Sequence, residues 1–565
     1  MSGSGSIPDL PGPTPHLPGP TPDRPGATPD LPAGPPRRTV LRLAIVPLAA
    51  PSAAVLAACG GPEPAPAPGP SASTRSPSPR PTTARPTAAG PADWAALAKD
   101  LGGTVIGPQD GRYQDASRLY QPQFDDLRPA GIVYPATAQD VTTCLAFARR
   151  HAVPVAVRSG GHSYAGWSSG PGMVLDVGAM AGVGGSGGTA TVGAGARLID
   201  VYAGLAADGV TVPAGSCPSV GVAGLTLGGG IGVTCRAYGL TCDSLTGAQV
   251  VTADGRIRRV DADTDADLFW ALRGGGGGNF GVVTSFTFRT HPAATCAYAF
   301  LSWPWSAAGS VVAAWQSWVA GAPDQLWANL HLDTWPDGRL RLTSTVNLLG
   351  PQSELADLLD RLAVAPATAS LHTAPFLDTM KVLGGVAGWS QAAAHLPGSL
   401  PGRSPDGRLT RESYAARSDF YTRPIDAAGI AALVASVDRY ARTAPEGGSA
   451  SVAFDALGGA VGRVAPGDTA FVHRGALFSA QYIANYPSPG AGSGPGVEQS
   501  QAWLQDVWST MRPYASGEAY QNYPDPRLAD WARAYYGGNL DRLRGVKRGY
   551  DPDGLFTFPQ AITPA

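Results

Sequence analysis

Gly215-Ser216-Cys217-Pro218-Ser219-Val220-Gly221-Val222-Ala223-Gly224-Leu225-Thr226-Leu227-Gly228-Gly229-Gly230-Ile231-Gly232 is the stretch on which the reading of the fold turns. Seven of its eighteen residues are glycine. Glycine loses more backbone freedom on folding than any other residue, so a plain helix or strand would not carry so many. Backbone this bare suits close approach to a large, flat, phosphorylated ligand. Cys217 precedes Pro218, which restricts its backbone and limits where the thiol can point. A lone cysteine is otherwise most often buried and inert.

Two further segments have the same character. Upstream, Val153–Val157 reads as a strand and runs straight into Arg158-Ser159-Gly160-Gly161-His162-Ser163. Adjacent glycines after a strand let backbone N–H groups approach an anion, as phosphate-holding turns require. Taken alone, a histidine there is an ordinary surface-turn or core residue. Downstream, Trp270-Ala271-Leu272-Arg273 leads through five glycines, Gly274 to Gly278, into Asn279-Phe280-Gly281-Val282-Val283-Thr284. Between an amphipathic helix and a strand, such a run reads as backbone against a ligand rather than a flexible loop.

Around these segments Ile132–Pro135 and Met173–Val177 read as strands, and Ala138–His151 as a helix with Asp140 near its start. After about His291 the glycines thin out and longer amphipathic runs appear, Ala307–Ala320 and Ile430–Arg442 among them, with strands at Leu340–Asn347 and Ala450–Phe454. The boundaries read as 93–294 for the glycine-rich domain, 295–516 for a second domain and 517–565 for a tail that returns to the first. The net charge of −2, with 15% charged residues, announces no nucleic-acid face. The run Arg542, Arg544, Lys547, Arg548 reads as a solvated helix face. Six cysteines with no CxxC pair, and no HExxH, give zinc little support.

Ahead of the globular part, residues 1–58 combine a Pro-rich repeat with Arg37-Arg38 and the apolar stretch Leu43 to Ala58, an order similar to a twin-arginine export signal. Leu56-Ala57-Ala58-Cys59 resembles a lipobox, which would make Cys59 a lipidated residue and a membrane anchor; the alternative is ordinary cleavage with Cys59 incidental. Residues 59–92 form a Pro/Ser/Ala linker.

The three glycine-rich segments, in this order, resemble the FAD-binding domain of the berberine-bridge-enzyme-like oxidoreductases, within the vanillyl-alcohol-oxidase superfamily. The tail agrees, with Tyr520-Gln521-Asn522-Tyr523 and Tyr550-Asp551-Pro552-Asp553-Gly554-Leu555-Phe556. The resemblance implies an α+β protein: a two-subdomain FAD-binding domain of the PCMH type, plus an α/β substrate domain with an antiparallel sheet. It implies FAD bonded to His162 and to Cys217, with single attachment at His162 as the alternative and Cys235 as a rival thiol. Arg158, Ser159, Gly160, Gly161 and Ser163 would wrap the pyrophosphate. Gly224, Gly228, Gly229, Gly232 and Asp243 would continue the cradle, and Val283 would lie near the adenine or ribitol side. Val220 is the residue type associated with oxidases, which favours O2 as electron acceptor.

For the reaction, the resemblance makes Tyr520 the base and Asn522 its hydrogen-bonding neighbour or the flavin's. Asp455 stands where relatives carry a second acid/base group, and would assist Tyr520, orient it or bind substrate. A free tyrosine has a pKa of about 10 and burial raises it, so donors to the phenolate are required. The implied substrate is a small molecule with a hydroxyl group: a sugar, an oligosaccharide or a secondary metabolite. A dehydrogenase using another acceptor and a non-catalytic tethered binding protein are the competing readings.

Overall fold

The structure, a computed structural model, describes residues 88–487, 490 and 492–565; the export signal, Cys59 and the linker up to residue 87 lie outside the described residues. The helix Ala138–His151 starts where the sequence places it, because Thr137 and Asp140 each accept from the other's backbone N–H at 3.1 Å. Its buried side, Val141, Cys144, Leu145 and Ala148, joins the core of the first domain.

That domain has two sheets. Strands β1 (Thr104–Ile106), β2 (Gly131–Tyr134), β3 (Val155–Arg158) and β4 (Met173–Asp176) lie in the order β1-β2-β4-β3, parallel except for β1. Then follow β5 (Val183–Ser186), β6 (Thr189–Gly193), β7 (Val210–Thr211), β8 (Leu245–Val251), β9 (Ile257–Asp261), β10 (Val282–Arg289) and β11 (His291–Pro292). Five of them make an antiparallel sheet, β5-β6-β10-β8-β9, and β7 pairs with β11.

The second domain is built on a seven-stranded antiparallel sheet. Its strands are β12 (Cys296–Trp303), β13 (Leu326–Thr334), β14 (Leu340–Leu348), β15 (Thr368–Ala374), β16 (Tyr414–Tyr421), β17 (Ser449–Ala456) and β18 (Phe478–Asn485), ordered β15-β12-β14-β13-β17-β18-β16. Side chains alternate across a strand, and this sheet has two unlike faces. Leu330, Leu332, Val452, Phe454 and Tyr482 are buried in the core beside the helices Ala308–Gly321, Ala427–Thr443 and Pro495–Met511. The other face carries Asn329, His331 and Asp333 on β13, Ser451 and Asp455 on β17, and Gln481 on β18. The fold is α+β, as the resemblance implies.

The tail crosses back to the first domain through the helices Trp531–Tyr536 and Leu540–Tyr550. The expected solvated run holds at Arg542 and Arg548, which are exposed, and is corrected at Lys547, which is only 1% exposed. Its Nζ pairs with Asp551 at 2.6 Å and donates to Asn279 O at 2.6 Å and Phe556 O at 2.7 Å. A buried ammonium requires such partners, and these knit the tail to the glycine-rich segment. Ile562 N donates to Asn279 Oδ1 at 2.9 Å beside them.

Candidate active site

A cavity of about 1330 Å3 lies between the glycine-rich turns and the polar face of the large sheet. A pocket for one drug-sized ligand is about 300–1,000 Å3, so this one has room for a dinucleotide and a substrate together. His162, Cys217, Tyr520 and Asp455 all line it.

The turns bearing His162 and Cys217 are packed backbone against backbone. A Cβ on Gly160 would meet Gly221 N at 2.2 Å, and one on Gly221 would meet Gly160 N at 2.2 Å. These glycines are therefore required by turn-to-turn contact, and Gly161 by its φ of +71°. The same junction is tied by His162 Nε2 and Ser219 Oγ, 3.1 Å apart, while Tyr120 stacks on the imidazole with ring centroids 4.0 Å apart. Burial, with the Arg197 guanidinium nearby, pushes the His162 imidazole down to about 3, so it is neutral at ordinary pH. Cys217 is exposed to the cavity. The rival Cys235 is fully buried elsewhere, with its thiol pushed up to about 12 by burial.

Tyr520 is 2% exposed, and its phenol oxygen receives three donors: Gly230 N at 2.9 Å, Ile231 N at 3.2 Å and Asn522 Nδ2 at 2.9 Å. Burial pushes the phenol up to about 12, and these three hydrogen bonds act in the opposite direction. A phenol has one proton of its own to place, so three inward N–H groups match a phenolate better than a phenol. Asp455 reaches the same cavity from β17, opposite Asn329 and diagonal to His331 on β13. Burial pushes its carboxyl up to about 6, and His331 draws it back down.

Ser159, Gly160, Gly161, Ser163, Val220, Gly224, Gly232, Val283 and Asn522 also line the cavity. Four expected cradle residues do not. The Arg158 side chain is turned away from the cavity and pairs with Asp176. Asp243 is engaged by Arg474, through Nη1 at 2.8 Å and Nη2 at 2.7 Å, and so locks a loop in place. Gly228 and Gly229 stand behind the wall, where a Cβ would meet Asn522 Oδ1 at 2.0 Å and Phe471 at 2.7 Å. The sequence reading passed over the polar sheet face. Its signal was the alternation Asn329, Leu330, His331, Leu332, Asp333, which marks a strand with one polar side.

The residues present suit FAD on two observations. A Cβ on Gly224 would meet nothing within 4 Å, and one on Gly277 only Gly224 Cα at 3.7 Å, so two bare backbones border open space. Gln521 Oε1 and Gln560 Oε1, both of lining residues, are buried with no hydrogen-bond partner among the described residues.

Fold and site together define a flavin-dependent oxidoreductase. Residues 129–261 match the FAD binding domain family, and residues 519–563 the family described as Berberine and berberine like. The uncharacterized FAD-linked oxidoreductase YgaK of Bacillus subtilis is 34% identical over 476 residues, covering 82% of this chain and 97% of its own. The chitooligosaccharide oxidase of Gibberella zeae is 30% identical over 460 residues, 78% of this chain and 88% of its own. Among solved structures, Physcomitrella patens BBE-like 1 has a TM-score of 0.75 at 28% identity, over 84% of this chain and 99% of that one. The chain belongs to the berberine-bridge-enzyme-like FAD-linked oxidoreductases. It is an FAD-dependent enzyme acting on CH–OH groups.

Proposed function

We propose that this chain is an oxidase that holds FAD by two covalent bonds, from His162 and Cys217, and oxidises a hydroxyl group of a sugar, an oligosaccharide or a secondary metabolite. The observation that carries the reading is the convergence of four reactive side chains, His162, Cys217, Tyr520 and Asp455, on one cavity. His162 is kept neutral and so has a ring lone pair for bonding to carbon; Cys217, 217 − 162 = 55 positions on, reaches the cavity from a separate turn.

Tyr520 takes the hydroxyl proton, and its three N–H donors hold the negative charge that the oxygen carries before it does so. Asp455, poised near 6, moves or holds that proton at the sheet face. Asn329, His331, Asp333, Ser451 and Gln481 offer a polyhydroxylated substrate the hydrogen-bond partners it needs outside the reacting carbon. The hydride leaves the alcohol carbon by the chemistry FAD supplies when bound, and O2 carries the two electrons away as hydrogen peroxide. Val220 beside Cys217, and the oligosaccharide-oxidising relative, support both the acceptor and the substrate class. Arg37-Arg38 and the apolar stretch to Ala58 support export of the folded, flavin-loaded protein, with Cys59 as lipid anchor.

The test is acid precipitation followed by a turnover screen. Colour should stay with the pellet, be retained in His162→Ala or Cys217→Ser, and pass to the supernatant only when both are changed. Colour entirely in the supernatant of the unaltered protein refutes the attachment. Peroxide release over a panel of sugars and glycosylated metabolites tests the rest; reduction of a dye in place of O2 would make the enzyme a dehydrogenase.

A further inference from the structure

Arg158 turns into a second cavity on the far side of the Ser159–Gly161 turn. Its volume is about 30 Å3, which is room for one water or one halide ion. Tyr120, Ser159, Gly160, Gly161 and Ser219 line both cavities, so the turn stands between them. Leu396, Pro401, Gly402 and Arg403, from the second domain, close the small one.

Its charges do not balance. Arg158, Arg197 and Arg403 all line it, and Asp176 is the one carboxylate among the described residues that does. Asp176 is already bonded to Arg158 Nε and to Gly178 N. Arg118 at the rim is paired with Asp115 at 2.7 Å, and Asp115 also faces Arg403 from outside the cavity, one carboxylate against two guanidinium groups. Asp200, which faces Arg197 from outside the cavity, is held by His395 at 3.0 Å.

The arginines otherwise find only neutral oxygens: Arg158 Nη2 donates to Ala116 O at 2.7 Å and to Tyr134 Oη at 3.4 Å, Arg197 Nη1 to Gly195 O at 3.0 Å, Arg403 Nη2 to Asp115 O at 2.8 Å and Arg403 Nη1 to Pro397 O at 3.4 Å. Arg158 is 4% exposed, and its Nη1 is buried with no partner among the described residues. Three guanidinium groups lining one small cavity, Arg158 and Arg197 buried and Arg403 half-buried, repel one another, and a donor is left over. A water would satisfy the donor without cancelling any charge.

We propose that this cavity is a binding site for a monovalent anion of halide size, chloride in ordinary buffers. The ion accepts from Arg158 Nη1 and offsets the surplus charge of Arg197 and Arg403. It thereby fastens the Leu396–Arg403 segment of one domain to the turn that presents His162 in the other. The proposal stands whether or not the enzyme proves to be an oxidase.

The experiment uses the flavin-loaded protein dialysed into gluconate, an anion too large for the cavity, and titrated with chloride or bromide at constant ionic strength. The melting midpoint should rise with the logarithm of halide concentration above the dissociation constant. Crystals in bromide should show anomalous density within hydrogen-bond distance of Arg158 Nη1. Arg403→Gln, on a half-buried loop, should fold and respond only at halide concentrations at least about tenfold higher, the equivalent of about 1.4 kcal/mol; Tyr134→Phe, which alters another lining residue, serves should that variant fail to fold. A midpoint equal in gluconate and halide without anomalous density shows a water-filled cavity and overturns the proposal. So does a halide response that survives both substitutions unchanged.

Discussion

Asn522→Leu isolates what the hydrogen bonds to Tyr520 do. Asn522 Nδ2 donates to the phenol oxygen at 2.9 Å and to Leu225 O at 2.9 Å, so leucine fills similar space and removes one of the three donors. A hydrogen bond to a charged group is worth about 1.5–3 kcal/mol. At 1.36 kcal/mol per unit, its loss raises the phenol by about 1–2 units, and a step that requires negative oxygen slows by about 10- to 150-fold. The assay is anaerobic stopped-flow bleaching of the flavin absorbance by saturating substrate, run on Asn522→Leu, Tyr520→Phe and the double variant. Because Asn522 acts through Tyr520, the double variant should be no slower than Tyr520→Phe alone. Losses that multiply, or an Asn522→Leu rate equal to that of the unaltered enzyme, would refute the reasoning.

Asp455, raised to about 6, must be ionised to take a proton, so kcat/KM should climb as pH rises through about 6 and level off above; Asp455→Asn should lower activity and abolish that limb while flavin content stays constant in the absorbance spectrum. Gly224→Val adds atoms where nothing lies within 4 Å, so the melting temperature of flavin-free protein should be kept and the yellow colour lost. Gly160→Ala, whose Cβ would sit 2.2 Å from Gly221 N, should instead cut the yield of folded protein. Lys547→Met leaves the Asp551 carboxylate buried without its cation and should cost about 3–5 kcal/mol in denaturant unfolding, part of which Asp551→Asn should restore.

What the sequence revealed, and what it hid, follows from where each partner lies. The helix Ala138–His151 is legible because its cap is local: Thr137 and Asp140 are three residues apart. His162 and Cys217 are legible because the turns that carry them announce themselves by glycine, whereas Tyr520, in the tail, and Asp455, on a strand, are legible only through the family resemblance. Gly160 and Gly221 mislead on the cause, since a rule tuned to phosphate binding also fits two turns touching each other. Arg158 and Asp243 stand off the cavity for a reason the sequence hides, because their partners are tertiary: Asp176 is 18 positions away and Arg474 is 231. The burial of Lys547 is hidden for the same reason, its carbonyl partner on Asn279 being 268 positions distant. The polar sheet face was present in the alternation of β13, but which side meets the cofactor domain is decided only by packing.

The contacts between Asn279 and the tail have a consequence for how the enzyme comes to exist. Asn279 holds Ile562 across 283 positions, so the first domain is unfinished while almost everything downstream of it is still being made. Closing so wide a loop is slow compared with folding of neighbouring segments. A nascent chain therefore presents an unsealed vestibule until synthesis has run past Ile562.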